Sequence, residues 1–453
     1  MQNRTIAAIS TPLGEGGIGI IRISGENALQ VADKIFRAKS GKRISEQKGY
    51  TALFGSAVDG DEVIDTAVCL MFRSPLSYTG EDTAEISVHS GSYVLKRVLR
   101  AAIKSGAHSA EPGEFTKRAF LNGKLDLTQA EGIMELISAE GEGQFKLASG
   151  AMNGKISKEI SEIESGLVSA AASIAYFADE PDEVLPELNA ENFGKMLSES
   201  ENRLSAMLET FDAGKILREG IDTAIVGKPN VGKSTLMNLL VGSTRSIVTE
   251  IAGTTRDIVE DTVKIGEITL RLSDTAGIHE TDDVVETLGV DLAKEKIDAA
   301  YLLLAVFDAT APLDDDDRLL INRIKNKKAI VVINKSDAGS HLNPDDFEDL
   351  PTVTISAKMG DGLKELSTEI EKITKVCYLN PDAAVLGSER QRDCAYRALS
   401  AVTSAKCALL DGQTIDAVGV CVDDALAALF ELTGKRATNV VADEVFKKFC
   451  VGK

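Results

Sequence analysis

Gly227-Lys228-Pro229-Asn230-Val231-Gly232-Lys233-Ser234 follows a short apolar run, Thr223 to Val226. It leads into Thr235-Leu236-Met237-Asn238-Leu239-Leu240, whose spacing predicts a helix. A strand, the pattern G-x-x-x-x-G-K-S and a helix, in that order, make a phosphate-cradling loop. Gly227 and Gly232 let the backbone turn so that successive N–H groups and the helix N-terminus face an anion. Lys233 then reaches the β- and γ-phosphates, and the Ser234 hydroxyl can coordinate Mg²⁺. The pattern also arises by chance in long chains, so its neighbours must decide.

They point one way. Asp274-Thr275-Ala276-Gly277 follows the strand-like run Ile268 to Leu272 and offers a second carboxylate on the metal side. Asn334-Lys335-Ser336-Asp337 closes the apolar run Ala329 to Ile333. An aspartate there accepts from N1–H and the 2-amino group of guanine, a pair that adenine lacks. Ser356-Ala357-Lys358 follows another short strand and offers backbone N–H to the guanine carbonyl. Between the first two motifs, Thr249-Glu250-Ile251-Ala252 runs into Gly253-Thr254-Thr255-Arg256-Asp257, where a switch loop must sense the γ-phosphate. Five elements in one order predict a GTP-binding α/β segment.

The 453 residues suffice for two to four domains. A net charge of −20 argues against a chain coated in phosphate-binding residues, so contact with nucleic acid is expected to be local or shared with a partner. Cys69, Cys377, Cys394, Cys407, Cys421 and Cys450 form no C-x-x-C pair or zinc spacing, which suits a reducing cytosol. The chain starts without a signal pattern and has no apolar run of about 18 residues, so a cytoplasmic, non-membrane protein is expected.

In the first third, Thr5 to Ser10, Gly19 to Ser24, Thr51 to Val58, Glu62 to Phe72 and Thr83 to His89 read as strands. Ala28 to Phe36 and Ser92 to Ser105 read as helices, giving a mixed α+β domain. Lys96, Arg97, Arg100, Lys104, Lys117, Arg118 and Lys124 against Glu111 and Glu114 make one basic region; a solvated helix face is the first reading, anion or RNA contact the second. From Thr128 to Phe211 the pattern is helical almost throughout. Ile156, Ile160, Ile163, Leu167, Ile174 and Phe177 form one core stripe; Phe193, Met196, Leu197, Leu204, Met207, Leu208 and Phe211 form a second. Pro181 and Pro186 break the helix between them. After Tyr378, Ala395 to Leu410, Ala417 to Leu432 and Asp443 to Phe449 are again helical, and the two helical blocks should pack into one bundle.

Three segments carry a more specific likeness: Gly16-Gly17-Ile18-Gly19-Ile20-Ile21-Arg22-Ile23-Ser24-Gly25, Ser77-Tyr78-Thr79-Gly80-Glu81-Asp82, and Glu111 through Leu127 with its Gly113-Glu114-Phe115-Thr116-Lys117-Arg118 core. Together with the GTPase segment inserted between helical blocks and the terminal Cys450-Val451-Gly452-Lys453, they resemble MnmE (TrmE), the tRNA-modification GTPase family. That resemblance implies an α+β folate-binding and dimerisation domain (1–120), a helical domain in two parts (121–213 and 380–453) and an inserted Ras-like GTPase domain (214–379). It implies folate contacts at Arg22, Glu81, Lys124 and Lys453, and a functional requirement for Cys450, whether as nucleophile or as structural element.

A Ras-like protein has a glutamine after Asp-Thr-Ala-Gly to orient water; Ile278 stands here, and the resemblance moves that role to Glu286. It also implies K⁺ held by Asn230, Thr249, Ile251 and Thr254, Mg²⁺ held by Ser234 and Thr255, and Arg256 supporting the loop. The implied reaction places an aminomethyl-type group on the wobble uridine of certain tRNAs. Its carbon comes from 5,10-methylenetetrahydrofolate or 5-formyltetrahydrofolate, and FAD is carried by an MnmG-type partner that makes much of the tRNA contact. A ribosome-assembly GTPase fits the phosphate-loop region equally well, but not the folate-like motifs or the Cys-x-Gly-Lys end.

Overall fold

The computed structural model describes residues 4–14, 16–179, 190–244, 261–272, 298–380, 382–436 and 439–452. The chain divides into two compact units, 1–137 with 151–205 and 389–453, and 138–150 with 206–388.

The first unit begins with β1 (Ile6–Ile9), β2 (Gly19–Ser24), α1 (Ala28–Ile35), β3 (Phe36–Ala38), β4 (Thr51–Asp59), β5 (Glu62–Phe72), β6 (Thr83–Val88), α2 (Ser92–Lys104), β7 (His108–Ser109) and α3 (Glu114–Leu121). The sheet order is β3-β4-β5-β6-β2-β1-β7, antiparallel except where β1 and β7 run parallel. Alternation in β2 sends Ile21 and Ile23 into the core with Leu29 and Ile35 of α1 and Leu95 and Val98 of α2, so both helices cover one sheet face. The sequence reads Phe36 as the end of the first helix. It instead opens an edge strand, pairing with Ala57 and burying its ring in that core.

The helices α4 (Leu127–Ser138), α5 (Glu142–Met152), α6 (Lys155–Asp179), α7 (Ala190–Glu209) and α8 (Phe211–Glu219) follow. Ile156, Ile160, Ile163, Leu167 and Ile174 of α6 are all buried, as the stripe requires; the side chain of Phe177 lies outside the described residues. Late in the chain, the helix Ile415–Thr433 packs on α6 and on the helix Glu389–Leu410, which closes the bundle from both sequence blocks. Glu389–Leu410 starts six residues before the apolar pattern does, and the last helix is Asn439–Lys447.

In the second unit a six-stranded sheet has the order β13-β12-β11-β8-β10-β9: β8 (Ile221–Val226), β9 (Asp261–Ile265), β10 (Ile268–Leu272), β11 (Leu302–Asp308), β12 (Ala329–Asn334) and β13 (Thr352–Thr354). All neighbours are parallel except β9 and β10. β11 and β12 read as near-continuous apolar runs because helices cover both faces of a parallel sheet. No helix among the described residues is long and apolar enough to cross a membrane.

Candidate functional site

Parallel strands bring their C-terminal ends to one edge, where ligands of open α/β sheets bind. β8 ends there in the Gly227–Ser234 loop, which runs into α9 (Lys233–Thr244). Gly227 has φ +149 and Gly232 φ +97. A Cβ at Gly232 would lie 2.2 Å from Asn334 Nδ2, so glycine is needed both for the turn and for this approach. Asn230 is exposed at the loop tip with φ +63. Lys233 Nζ donates to the carbonyls of Gly227 (2.9 Å) and Lys228 (2.7 Å), and burial pulls its pKa below the ordinary lysine value. Lys228 is held by Asp314 and by Asp317 (2.8 Å).

At the end of β12, Asn334 is buried and makes two long-range bonds. Its Nδ2 donates to the Val231 carbonyl (3.0 Å), and its Oδ1 accepts from the Ala357 N–H (2.9 Å). One amide therefore ties the phosphate loop, the Asn334–Asp337 motif and the Ser356–Lys358 loop together. Lys335, at φ +67, reaches back to Asp308 Oδ2 (2.6 Å), whose carboxyl stays below the usual range because this bond and those from Thr310 outweigh its burial. Asp337 is exposed and accepts from Ser356 Oγ (2.6 Å), which holds its carboxyl below the ordinary value. An ionised, oriented carboxylate beside an ordered backbone loop is the geometry a guanine edge requires. The sequence reading missed Asp308 and Lys228; their partners lie 27 and 86–89 residues away in the chain, so no local pattern marks them. Thr249, Glu250, Ile251, Ala252, Gly253, Thr254, Thr255, Arg256, Asp274, Thr275, Ala276, Gly277 and Glu286 lie outside the described residues.

A second cluster forms in the first unit. Arg22, on β2, pairs with Glu85 (2.8 Å) and places its guanidinium 5.6 Å from the ring centres of both Tyr78 and Phe115. Tyr78 OH meets Thr116 Oγ1 at 2.9 Å, and burial pushes the phenol pKa up. Glu81 accepts from Ser24 Oγ (2.9 Å) and from Arg118 Nη1 (3.0 and 3.2 Å), and Arg118 also holds Glu114 (2.8 Å). Arg118 is therefore buried and committed, which corrects its placement on a solvated basic face. Lys124 is exposed and donates to the Pro75 carbonyl (3.1 Å).

The chain's end reaches this cluster. Gly113 N–H donates to the Cys450 carbonyl (3.3 Å), and Val451 bridges Pro112. The Gly452 carbonyl accepts from Ser10 Oγ (3.0 Å) and Arg22 Nη1 (3.5 Å). Gly452 has φ +99, and a Cβ there would meet the Ile9 carbonyl at 2.3 Å. Cys450 is exposed; Lys453 lies outside the described residues. Half-buried Arg22 and Glu81 and exposed Tyr78 are groups of the kind that the polar edge and flat rings of a folate can meet, while Phe115 and Arg118 are buried.

Two family models match the chain: one described as "GTP-binding protein TrmE N-terminus" over residues 5–124, and one as "MnmE helical domain" over 127–450. A tRNA modification GTPase MnmE of Clostridioides difficile (strain 630) is 38% identical over 454 residues, covering 99% of each chain. One of Alkaliphilus oremlandii (strain OhILAs) is 39% identical over 456 residues, again 99% of each. Among solved structures, Era of Aquifex aeolicus bound to GDP·AlF₄⁻ is 32% identical over 40% of this chain and 66% of its own, with a TM-score of 0.26.

Proposed function

Because this chain belongs to the MnmE family of tRNA modification GTPases, we propose that its GTP turnover serves installation of a carboxymethylaminomethyl-type group at C5 of the wobble uridine (U34) of certain tRNAs. The observation that most supports a guanine-nucleotide switch at its centre is the Asn334 amide, which links the phosphate loop to the base-side loop. In this reading Lys233 releases its own loop carbonyls to bind the β- and γ-phosphates, Ala357 and its neighbours donate to the guanine carbonyl, and Asp337 selects the base. Ser234 and Thr255 are the Mg²⁺ ligands. Asn230, an amide oxygen at an exposed loop tip, joins Thr249, Ile251 and Thr254 as a hard-oxygen set for K⁺. An alkali ion bound there supplies the positive charge that an arginine finger gives other GTPases. Glu286 orients water, and Arg256 supports the loop.

Arg22, Glu81, Lys124 and Lys453 hold the folate, with Cys450 beside them at the docked chain end. Two copies associate through the domain at 1–120, and a flavoprotein of the MnmG type completes the complex in the cytoplasm. Nucleoside analysis of tRNA from cells lacking the protein tests the assignment: loss of the C5 substituent is expected, and an unchanged U34 would refute it. Turnover should also fall sharply when Na⁺ replaces K⁺; equal rates in the two salts would remove the alkali-ion site.

A further inference from the structure

We propose that the outward face of α2 docks the phosphate backbone of the tRNA; this rests on tRNA being the substrate. Residues 1–124 hold sixteen Lys and Arg against thirteen Asp and Glu, while the whole chain holds 50 against 70, so positive charge is concentrated in this domain. Within it, α2 reads Ser-Tyr-Val-Leu-Lys-Arg-Val-Leu-Arg-Ala-Ala-Ile-Lys, with four cations and no carboxylate. The helix itself therefore carries one sign of charge, and the carboxylates that border it, Asp59, Asp61 and Glu62, lie on the β4–β5 turn. Leu95, Val98, Ala101 and Ala102 bury one side of the helix. Tyr93, Lys96, Arg100 and Lys104, spaced by three or four, fall together on the other with Arg97 beside them.

Rim contacts fix part of this face. Arg97 forks onto Glu62 (2.7 and 3.0 Å) and Lys104 reaches Asp59 (2.9 Å). From β3, Arg37 closes on the same turn, on the Gly60 carbonyl (2.7 Å) and Asp61 (2.8 Å). Lys96 and Arg100 stay exposed at its centre without a direct ion pair among the described residues. Tyr93 is 73% exposed beside them, a flat ring on which an unpaired base can stack. A membrane surface is the poorer match: a helix that lies on lipid keeps its apolar face bare, and α2 has spent its own against the sheet.

The test is an equilibrium titration of fluorescently labelled tRNA with the full-length protein across a range of KCl concentrations. Lys96→Gln/Arg100→Gln should weaken binding by about 10-fold or more and lower the log–log salt slope by about 1.4–2. Tyr93→Ala should weaken binding with the slope unchanged, as loss of stacking does. Lys158→Gln/Lys364→Gln, exposed lysines of the two units, should match the parent protein. GTP turnover and folate binding should be retained in every variant, which reports that each is folded. Equal affinity and slope for the Lys96/Arg100 variant would overturn the proposal. So would a loss matched by a change in mass by light scattering, which would make the face a self-association surface, or binding of anionic phosphatidylserine vesicles in place of tRNA. Failure of the modification reading itself shows separately, in the U34 of cells lacking the protein.

Discussion

In the proposed function, base choice rests on Asp337 and phosphate affinity on Lys233. Asp337 presents a carboxylate whose charge is held by the Ser356 hydroxyl. In the proposed base site two hydrogen bonds from guanine end on that charge, so Asp337→Asn should weaken GTP by about 10²–10⁴-fold. The amide introduced there can donate to the 2-oxo group of xanthine, so xanthosine triphosphate should gain. Displacement of a fluorescent GTP analogue reads both, and an unchanged GTP affinity would remove Asp337 from the base site. Lys233 has a depressed pKa because burial disfavours its ammonium form. That penalty applies below the lowered value and fades as pH rises through it. A bound triphosphate restores the charge. In the window between the lowered pKa and the ordinary 10.5, GTP binding should therefore take up a proton. Calorimetry in buffers of different ionisation enthalpy measures that uptake, and Lys233→Ala should abolish it.

Arg390 illustrates what an element hides from a local reading. Near the start of the helix Glu389–Leu410 it grips Glu131 of α4 (2.8 and 3.0 Å) and donates to the Glu431 and Leu432 carbonyls at the end of Ile415–Thr433 (both 3.1 Å). Arg390→Ala leaves a mostly buried carboxylate and terminal carbonyls without this partner. It should cost about 3–5 kcal/mol in chemical denaturation of the first unit; a loss below about 1 kcal/mol would show that water replaces the guanidinium. Sequence places the helix start at Ala395 because Glu389 to Cys394 is mostly polar, and the residue that justifies that polarity is 259 positions away. The strands β2, β5 and β6 and the α6 stripe were legible because their burial repeats at the period of the element itself. β3 was not, since three residues of edge strand leave no period to read. The nucleotide loops were legible through fixed spacings, whereas Arg118, Asp308 and Lys228 depend on tertiary partners.

At the scale of the molecule, the last residues complete a surface begun by the first. Gly452 closes on Ser10 and Arg22, and Gly113 on Cys450. Truncation after Phe449 should therefore cut folate affinity by about 10-fold or more, the loss of one or two hydrogen bonds to a charged group. Nucleotide affinity should not change, because that site lies in the other unit. Parallel titrations of 5-formyltetrahydrofolate and GTP would separate the two, and an equal fall in both would point to general unfolding. The interruption of the first unit by the second also dictates an order of events during synthesis. Residues 206–388 leave the ribosome before the helices from 389 onward that the earlier ones need, so the nascent bundle waits about 10–40 s at about 5–20 residues per second with part of its apolar surface bare. The inserted unit can mature during that interval. The enclosing one becomes a finished body only as translation ends, so a ribosome stalled late in the message holds a competent nucleotide binder on a half-built host.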